Sequence, residues 1–115
     1  MLFRSSLCLA ETIGTCHPRD FGETLDAVKD ILEGIPVILH IHNTYGMALL
    51  NVREALCRGF DRFDSAAGGL GGCPYAPGAA GNVATEDLVL YLNGLGIETG
   101  LDPLSLVGVA RRMRK

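Results

Sequence analysis

Apolar residues occur along this chain both as short continuous runs and in stretches with helical spacing. The runs predict three strands, at residues 7–10, 36–42 and 60–65. The helical spacing predicts four helices, at residues 18–32, 45–58, 85 to about 93, and 103–113. Because strands and helices alternate, the order predicts three consecutive β-α units that build a parallel sheet.

The same pattern predicts which helix residues face the core. These apolar positions are Phe21, Leu25, Val28, Ile31 and Leu32 in the first helix, and Ala48, Leu49, Val52, Ala55 and Leu56 in the second. Gly34 and Gly59 are expected to end these two helices. Thr85 is expected to cap the third helix, and Glu86 and Asp87 follow in its first turn, where the helix dipole favours acidic side chains.

Chain length limits the fold. The 115 residues allow one domain. A complete (β/α)₈ barrel needs roughly 250 residues, so the pattern leaves two α/β architectures open. One is a small three-stranded domain, and the other is the last portion of a barrel.

Composition limits the kinds of partner and the cellular environment that the chain is expected to have. A net charge of −3 argues against nucleic acid as the partner, and no apolar stretch approaches the roughly 20 residues of a membrane span. The four cysteines form no CxxC pair, which favours a reduced, intracellular protein in which Cys8, Cys16 and Cys57 pack as small apolar residues. Residues 1–10 superficially resemble a targeting peptide, but the strand interpretation is preferred because this run leads directly into a turn.

Two histidines lie at the end of the second predicted strand, in the segment His40-Ile41-His42. Side chains alternate between the faces of a strand, so both imidazoles are expected on one face, where they can hold a metal ion between them. Histidines at this spacing also occur as hydrogen-bonded core or surface residues, and the spacing alone leaves both interpretations open. Cys73, on a glycine-rich loop, and the amide of Asn82 would complete a lyase site.

Three segments closely resemble the 3-hydroxy-3-methylglutaryl-CoA lyase family. They read His-Ile-His-Asn-Thr-Tyr-Gly at residues 40–46, Gly-Leu-Gly-Gly-Cys-Pro-Tyr-Ala at 69–76, and Gly-Asn-Val-Ala-Thr-Glu-Asp-Leu at 81–88. The Cys-Pro-Tyr-Ala loop is the specific part, because related synthases share only the His-x-His and Gly-Asn elements. The resemblance implies a partial TIM (β/α)₈ barrel, in which residues 1–115 form one incomplete domain of the sixth, seventh and eighth β-α units and a short C-terminal helix.

The resemblance also implies roles for individual residues. His40, His42 and Asn82 match ligands of a divalent cation, Mg²⁺ or Mn²⁺. Cys73 matches a loop cysteine that acts in proton transfer. The other catalytic candidates are His40, Glu86, which matches a first-turn carboxylate near the site, and Glu11, which stands where the family carries an aspartate. Glu86 also has an ordinary interpretation as a first-turn helix residue.

The activity implied by the resemblance is metal-assisted retro-aldol cleavage of a 3-hydroxyacyl-CoA to acetyl-CoA and acetoacetate. This is a reaction of leucine degradation and ketone-body formation, in the cytoplasm or, in a eukaryote, the mitochondrial matrix. Two alternatives stay open. The chain could be a related aldol-type lyase for another acyl-CoA, or a non-catalytic remnant or interaction module.

Three departures from the family pattern affect this expectation. The family's first strand supplies an Asp ligand beside a catalytic Arg, and this chain has no matching position. Asn43 stands where the lyases commonly have Asp, and Glu11 replaces Asp. Without the charged ligand, Mg²⁺ should bind weakly and the isolated chain should have little or no activity. Three strands also expose sheet edges, so we expect marginal stability and either a homo-oligomer or a complementary chain that supplies the missing units.

Overall fold

The computed structural model describes residues 7–11, 16–69 and 81–113 of the chain. The strands are β1 (Leu7–Glu11), β2 (Val37–Ile41) and β3 (Phe63–Asp64). The helices are α1 (Pro18–Lys29), α2 (Ala48–Cys57), α3 (Thr85–Gly94) and α4 (Pro103–Met113), and a short 3-10 turn at Ala67–Gly69 lies between β3 and α3. The predicted alternation of strands and helices is confirmed.

The three strands form one parallel sheet in the order β1-β2-β3. Its register aligns Ala10 with His40 and His40 with Asp64, so these residues form one row across the carboxyl ends of the strands. Residues that face each other in register project to the same side of a sheet. The sheet therefore places a carboxylate beside the first histidine of the His-x-His pair.

The middle strand, β2, has two different faces. Val37, Leu39 and Ile41 are buried, whereas Ile38 and His40 on the other face are half-buried. The continuous apolar run predicts burial on both faces, and only the first face meets that expectation fully. The buried face belongs to a core that also includes residues of α1, α2 and α3 and one residue of the segment before α3, namely Phe21, Leu25, Ala48, Val52, Ala55, Leu88 and Val83.

Helices α1 and α2 are shorter than their apolar patterns predict. Helix α1 ends at Lys29, and the chain turns so that Gly34 has a φ of 80°, in the left-handed region. Ile31 lies in this turn and is 78% exposed, so its predicted core position is wrong. Helix α2 begins at Ala48 rather than at residue 45, because the chain makes a turn at Gly46 (φ 72°) first.

The start of α3 also differs from the prediction. Ala84 is the N-cap residue, and Thr85 is the first residue of the helix. The Thr85 hydroxyl lies 2.8 Å from the Ser65 hydroxyl, so it connects the helix to the segment after β3 instead of capping the helix. Strand β3 itself is limited to two residues, which are the residues that pair with Leu39 and His40.

Helix α4 has the predicted bounds, and the carboxylate of Asp102 accepts a hydrogen bond from the Leu104 backbone N–H at its start. It packs against α3 and the 3-10 turn but leaves Leu104 81% exposed. Cys8 and Cys57 are exposed, so the expectation that they pack as small apolar residues is wrong. In the described part of the chain, no helix combines the length and apolar character needed to cross a bilayer.

Arg58 connects helices α1 and α2. Its guanidinium donates to the Asp26 carboxylate at 2.8 Å and to the Glu54 carboxylate at 2.6 Å. Gly22 lies beneath the guanidinium, and a Cβ atom at this position would come within 2.7 Å of Arg58 Nη2. The absence of a side chain at Gly22 therefore makes room for the ion pair of Arg58 with Asp26, which connects the two helices.

We expect the two interior helical glycines of α1 and α4 to respond differently to alanine. Gly108→Ala meets no atom within 4 Å and should raise the free energy of unfolding by about 0.5–1 kcal/mol, because alanine favours a helix. Gly22→Ala should give no such gain, because its methyl group displaces the Arg58 guanidinium. Urea denaturation followed by circular dichroism measures both values.

The same measurement in an Arg58→Ala background is the control. There the displaced group is absent, and Gly22→Ala should stabilise α1 to a similar extent as Gly108→Ala stabilises α4. Equal stabilisation by the two substitutions in the otherwise unchanged chain would show that Arg58 does not occupy the space above Gly22.

Candidate metal and substrate site

His40 lies at the carboxyl end of β2 with its ring hydrogen-bonded to the neighbouring strand. Its Nδ1 atom is 2.5 Å from Asp64 Oδ1. An ionised carboxylate only accepts hydrogen bonds, so Nδ1 carries the proton of this contact. In the neutral ring, the lone pair is then on Nε2.

His42 follows directly after β2 and is buried, with 8% of its surface exposed. Its Nδ1 atom lies 2.7 Å from the backbone carbonyl oxygen of Glu11, at the end of β1. A carbonyl oxygen also only accepts, so Nδ1 of His42 donates. This ring, like that of His40, has Nε2 as its remaining nitrogen.

The two imidazoles are in contact. Their centroids are 4.8 Å apart, and the planes meet at 89°, an edge-to-face arrangement. The structure thus brings His40 and His42 together, as the alternation of side chains along a strand predicts.

Asn82 reaches this end of the sheet through a backbone pairing. It forms an isolated antiparallel bridge with His42. The flanking hydrogen bonds run from Asn43 N–H to the Gly81 carbonyl, at 3.3 Å, and from Val83 N–H to the Ile41 carbonyl, at 3.0 Å. In such a pair the two facing residues are close neighbours whose side chains project to the same side. Asn82 and His42 are therefore adjacent although they are far apart in sequence.

These groups supply two imidazole nitrogens and one carboxamide, a neutral donor set. Imidazole and amide oxygen are ligands that suit a divalent cation, and three donors leave positions for substrate and water on an octahedral ion. Within residues 7–11, 16–69 and 81–113, no group of three or more His, Cys, Asp or Glu side chains is arranged to hold a metal. The donors fit a divalent cation, with less negative charge than strong Mg²⁺ binding requires.

Glu86 has a structural contact in the first turn of α3. Its carboxylate accepts the backbone N–H of Gly68, at 2.8 Å to Oε1 and 3.1 Å to Oε2. It thereby connects the helix to the 3-10 turn, which precedes Cys73 in the sequence. Cys73 itself lies outside the described residues, so its role stays a prediction, as does a catalytic role for Glu86.

Glu11 contributes to the site through its backbone, which holds His42. The register aligns it with Ile41, so strand alternation does not place its side chain in the row of His40 and Asp64. Its negative charge also acts on Cys16, in the segment before α1. Burial, followed by the charges of Glu11 and Asp20, raises the pKa of the Cys16 thiol.

Sequence reasoning missed two polar residues: Asp64, which contacts His40, and Asn51, which is buried in α2. Asp64 is visible in the sequence as a carboxylate at the end of the third predicted strand, but its contact depends on the strand register. Asn51 is 1% exposed, and its amide donates to the Cys16 carbonyl at 3.1 Å. The sequence gives one sign of Asn51, because its polar amide lies among the apolar residues of α2. It supports the segment that leads into α1.

Asn43 follows His42 at the end of β2. In the structure, its side-chain oxygen accepts the backbone N–H of Ala48 at 3.2 Å, at the start of α2. Its backbone carbonyl accepts the N–H of Gly46 in the preceding turn. Asn43 thus shapes the connection between β2 and α2.

Comparison with known proteins identifies the family of this chain. Residues 5–112 match the family described as HMGL-like. The chain belongs to the HMGL-like family. Its relatives include the hydroxymethylglutaryl-CoA lyase of Pseudomonas mevalonii, which is 44% identical over 107 residues, covering 93% of this chain and 36% of that protein.

Solved lyase structures show the same fold. The Bacillus subtilis HMG-CoA lyase matches with a TM-score of 0.88 and 42% identity, over 95% of this chain and 37% of that one. An Acinetobacter baumannii HMG-CoA lyase in complex with coenzyme A and 3-methylmalate matches with a TM-score of 0.83 and 42% identity, over 92% and 35%. The chain thus spans somewhat more than a third of these relatives and forms part of a TIM barrel.

The contact between Glu86 and Gly68 generates a prediction. Glu86→Ala should speed amide hydrogen exchange at Gly68 about tenfold or more, since a hydrogen bond to a charged acceptor contributes about 1.5–3 kcal/mol. Glu86→Gln retains an acceptor oxygen and should have a smaller effect. Asp87→Ala, which removes an exposed carboxylate from the same turn, is the matched control. Unchanged exchange in Glu86→Ala would contradict the contact.

The raised pKa of Cys16 predicts slow alkylation. Below that pKa the thiol stays protonated, and the thiolate is the reactive form. At pH 8 iodoacetamide should modify Cys16 more slowly than the exposed Cys57, and the rate at Cys16 should rise as the pH increases. Glu11→Gln should speed the reaction at Cys16 alone. Peptide mass spectrometry measures each site, and equal rates at the two cysteines would refute the prediction.

Proposed function

We propose that this chain carries the metal-binding and catalytic-loop part of a carbon-carbon lyase of the hydroxymethylglutaryl-CoA type. The substrate would be a 3-hydroxyacyl-CoA, cleaved to acetyl-CoA and a keto acid, acetoacetate in the simplest case. The observation that supports this most directly is the contact between the imidazoles of His40 and His42, which lie next to Asn82. Both rings use Nδ1 in hydrogen bonds, so Nε2 is the nitrogen that remains on each. The coenzyme A bound to the Acinetobacter relative supports an acyl-CoA substrate.

His40, His42 and Asn82 would hold the cation, Mg²⁺ or Mn²⁺. When bound, the cation polarises the substrate's hydroxyl and carboxylate oxygens and lowers the pKa of the hydroxyl group. The half-buried position of His40 and the buried position of His42 limit the water around these ligands. Both rings are held in place before any ligand arrives, which reduces the ordering needed on binding.

The proposed reaction requires two proton transfers. A base takes the proton of the 3-hydroxyl group. His40 cannot be that base while its Nδ1 donates to Asp64 and its Nε2 holds the cation, which leaves Glu11 as the candidate. The bond between carbons 2 and 3 then breaks, and its electron pair forms the enolate of acetyl-CoA while carbon 3 becomes the ketone. Cys73 is proposed to protonate the enolate carbon, as a thiol near a cation can act as an acid. Electrons and protons balance without a further reactant.

The neutral donor set also affects what the isolated chain can do. No residue matches the aspartate ligand and the arginine that the family's first strand would supply, and the chain spans about a third of its relatives. We therefore expect metal binding without substantial turnover by the chain alone. Turnover would require the remaining barrel units.

A Mn²⁺ titration followed by electron paramagnetic resonance tests the ligand assignment. His42→Ala should weaken Mn²⁺ binding about tenfold or more, because it removes a direct ligand. The chain contains three histidines, and His17→Ala is the matched control because His17 caps α1. Equal Mn²⁺ affinity in His42→Ala and the unsubstituted chain would remove His42 from the ligand set.

A lyase assay tests the reaction. Acetyl-CoA release from 3-hydroxy-3-methylglutaryl-CoA with Mn²⁺ should be negligible for the chain alone. It should appear when the chain is co-expressed with the remaining barrel units of a homologous lyase, and Cys73→Ser should reduce it. Rapid turnover by the chain alone would contradict the incomplete site. Absence of turnover in a stable complex would contradict the lyase proposal.

A further inference from the structure

We propose that Asp64 is a positioning residue that fixes the ring of His40 so that Nε2 is the nitrogen presented to the metal. The part of this inference that concerns the metal rests on the proposed function. The part that concerns the ring depends only on the contact between the two side chains. The two parts can therefore be tested separately.

The position of Asp64 follows from the sheet. Strand β3 consists of two residues and ends at Asp64, which the parallel register sets directly beside His40. Neighbouring residues on one face of a sheet are within side-chain reach of each other. The short separation of 2.5 Å between His40 Nδ1 and Asp64 Oδ1 is the result. The His40 side chain is 25% exposed and that of Asp64 46%, so water competes only partly for this hydrogen bond.

The two histidines reach the same ring orientation by different means. His42 donates to the backbone carbonyl of Glu11, which no side-chain substitution removes. His40 donates to a side chain, and its orientation is therefore open to substitution. A metal-ligating histidine that donates its other N–H to a carboxylate is fixed in one tautomer and becomes a more basic ligand. The Asp64 side chain therefore orients the ring of His40 in the same way that the Glu11 backbone carbonyl orients the ring of His42: each accepts the hydrogen bond from Nδ1.

Asp64 also supplies charge to a site with neutral donors. Other groups near this end of the sheet have different partners: Asn43 binds the start of α2, and Glu86 accepts the Gly68 N–H. The Asp64 carboxylate hydrogen-bonds directly to one imidazole of the pair. Its negative charge would strengthen electron donation by His40 to a bound cation.

The backbone around Asp64 is held by contacts that do not involve its side chain. Ala66 N–H donates to the Val83 carbonyl at 3.2 Å, and Thr85 N–H donates to the Ala66 carbonyl at 3.0 Å. The hydroxyls of Ser65 and Thr85 are 2.8 Å apart. Substitution of Asp64 should therefore leave this segment in place, and its effect can be read at His40.

Long-range ¹H–¹⁵N correlation spectra of the full chain with ¹⁵N-labelled histidine test the ring assignment without metal, at pH 8. In the unsubstituted chain, both His40 and His42 should show the proton on Nδ1. Asp64→Ala should shift the His40 proton toward Nε2 and leave His42 unchanged. Asp61→Ala, which removes an exposed carboxylate just before β3, should change neither ring. An unchanged His40 pattern in Asp64→Ala would overturn the proposal.

Mn²⁺ affinity of the same variants tests the metal part. Asp64→Ala should weaken binding about 10- to 100-fold, the usual effect of removing a hydrogen-bond partner of a ligating histidine. Asp64→Asn retains an acceptor oxygen without the charge, so it should keep the His40 proton on Nδ1 and weaken binding less. This variant also serves if Asp64→Ala does not fold. Asp61→Ala should bind Mn²⁺ like the unsubstituted chain.

The two measurements distinguish the ways in which these ideas can fail. Absence of Mn²⁺ binding by the unsubstituted chain would overturn the proposed function and leave the ring result for Asp64 intact. Normal Mn²⁺ binding with an unchanged His40 ring in Asp64→Ala would overturn the positioning role alone. A shifted ring with unchanged Mn²⁺ affinity would remove His40 from the ligand set and overturn the metal part of this inference.

Discussion

The rest of the candidate site depends on the pairing of residues 81–83 with the end of β2. Two backbone hydrogen bonds form it, from Val83 to Ile41 and from Asn43 to Gly81. Val83 is nearly fully buried, so packing in the core stabilises this pairing in addition to the hydrogen bonds. This pairing sets Asn82 beside His42. It also fixes the start of α3, from which Glu86 reaches the 3-10 turn.

His42 is buried and His40 is half-buried, and each ring donates a hydrogen bond from Nδ1. A buried polar ring is costly unless its polar atoms have partners, and both Nδ1 atoms have one. The remaining nitrogens are then the groups that a ligand can use. The core below the pair, centred on the fully buried Leu39, holds β2 rigidly against α1 and α2. The site therefore consists of oriented groups on a packed strand.

Local periodicity predicted the order and type of the elements because apolar spacing along each helix and strand reflects burial. Helices α1 and α2 are shorter than predicted because turns at Gly34 and Gly46 interrupt the helical backbone. Apolar spacing continues through these turns and therefore does not reveal them. The contact of His40 with His42 follows from alternation within one strand and could be predicted. The hydrogen bond of Asp64 could not, because it depends on the register between two strands, which is set by the whole sheet.

The bond from His42 to the Glu11 carbonyl has a consequence for how the family can vary. The acceptor is a main-chain atom, so the orientation of this imidazole does not depend on which side chain occupies position 11. An acidic residue there can lengthen by a methylene, as glutamate does relative to aspartate, without loss of that restraint. Substitution of the side chain at position 11 therefore leaves the acceptor of the His42 ring in place.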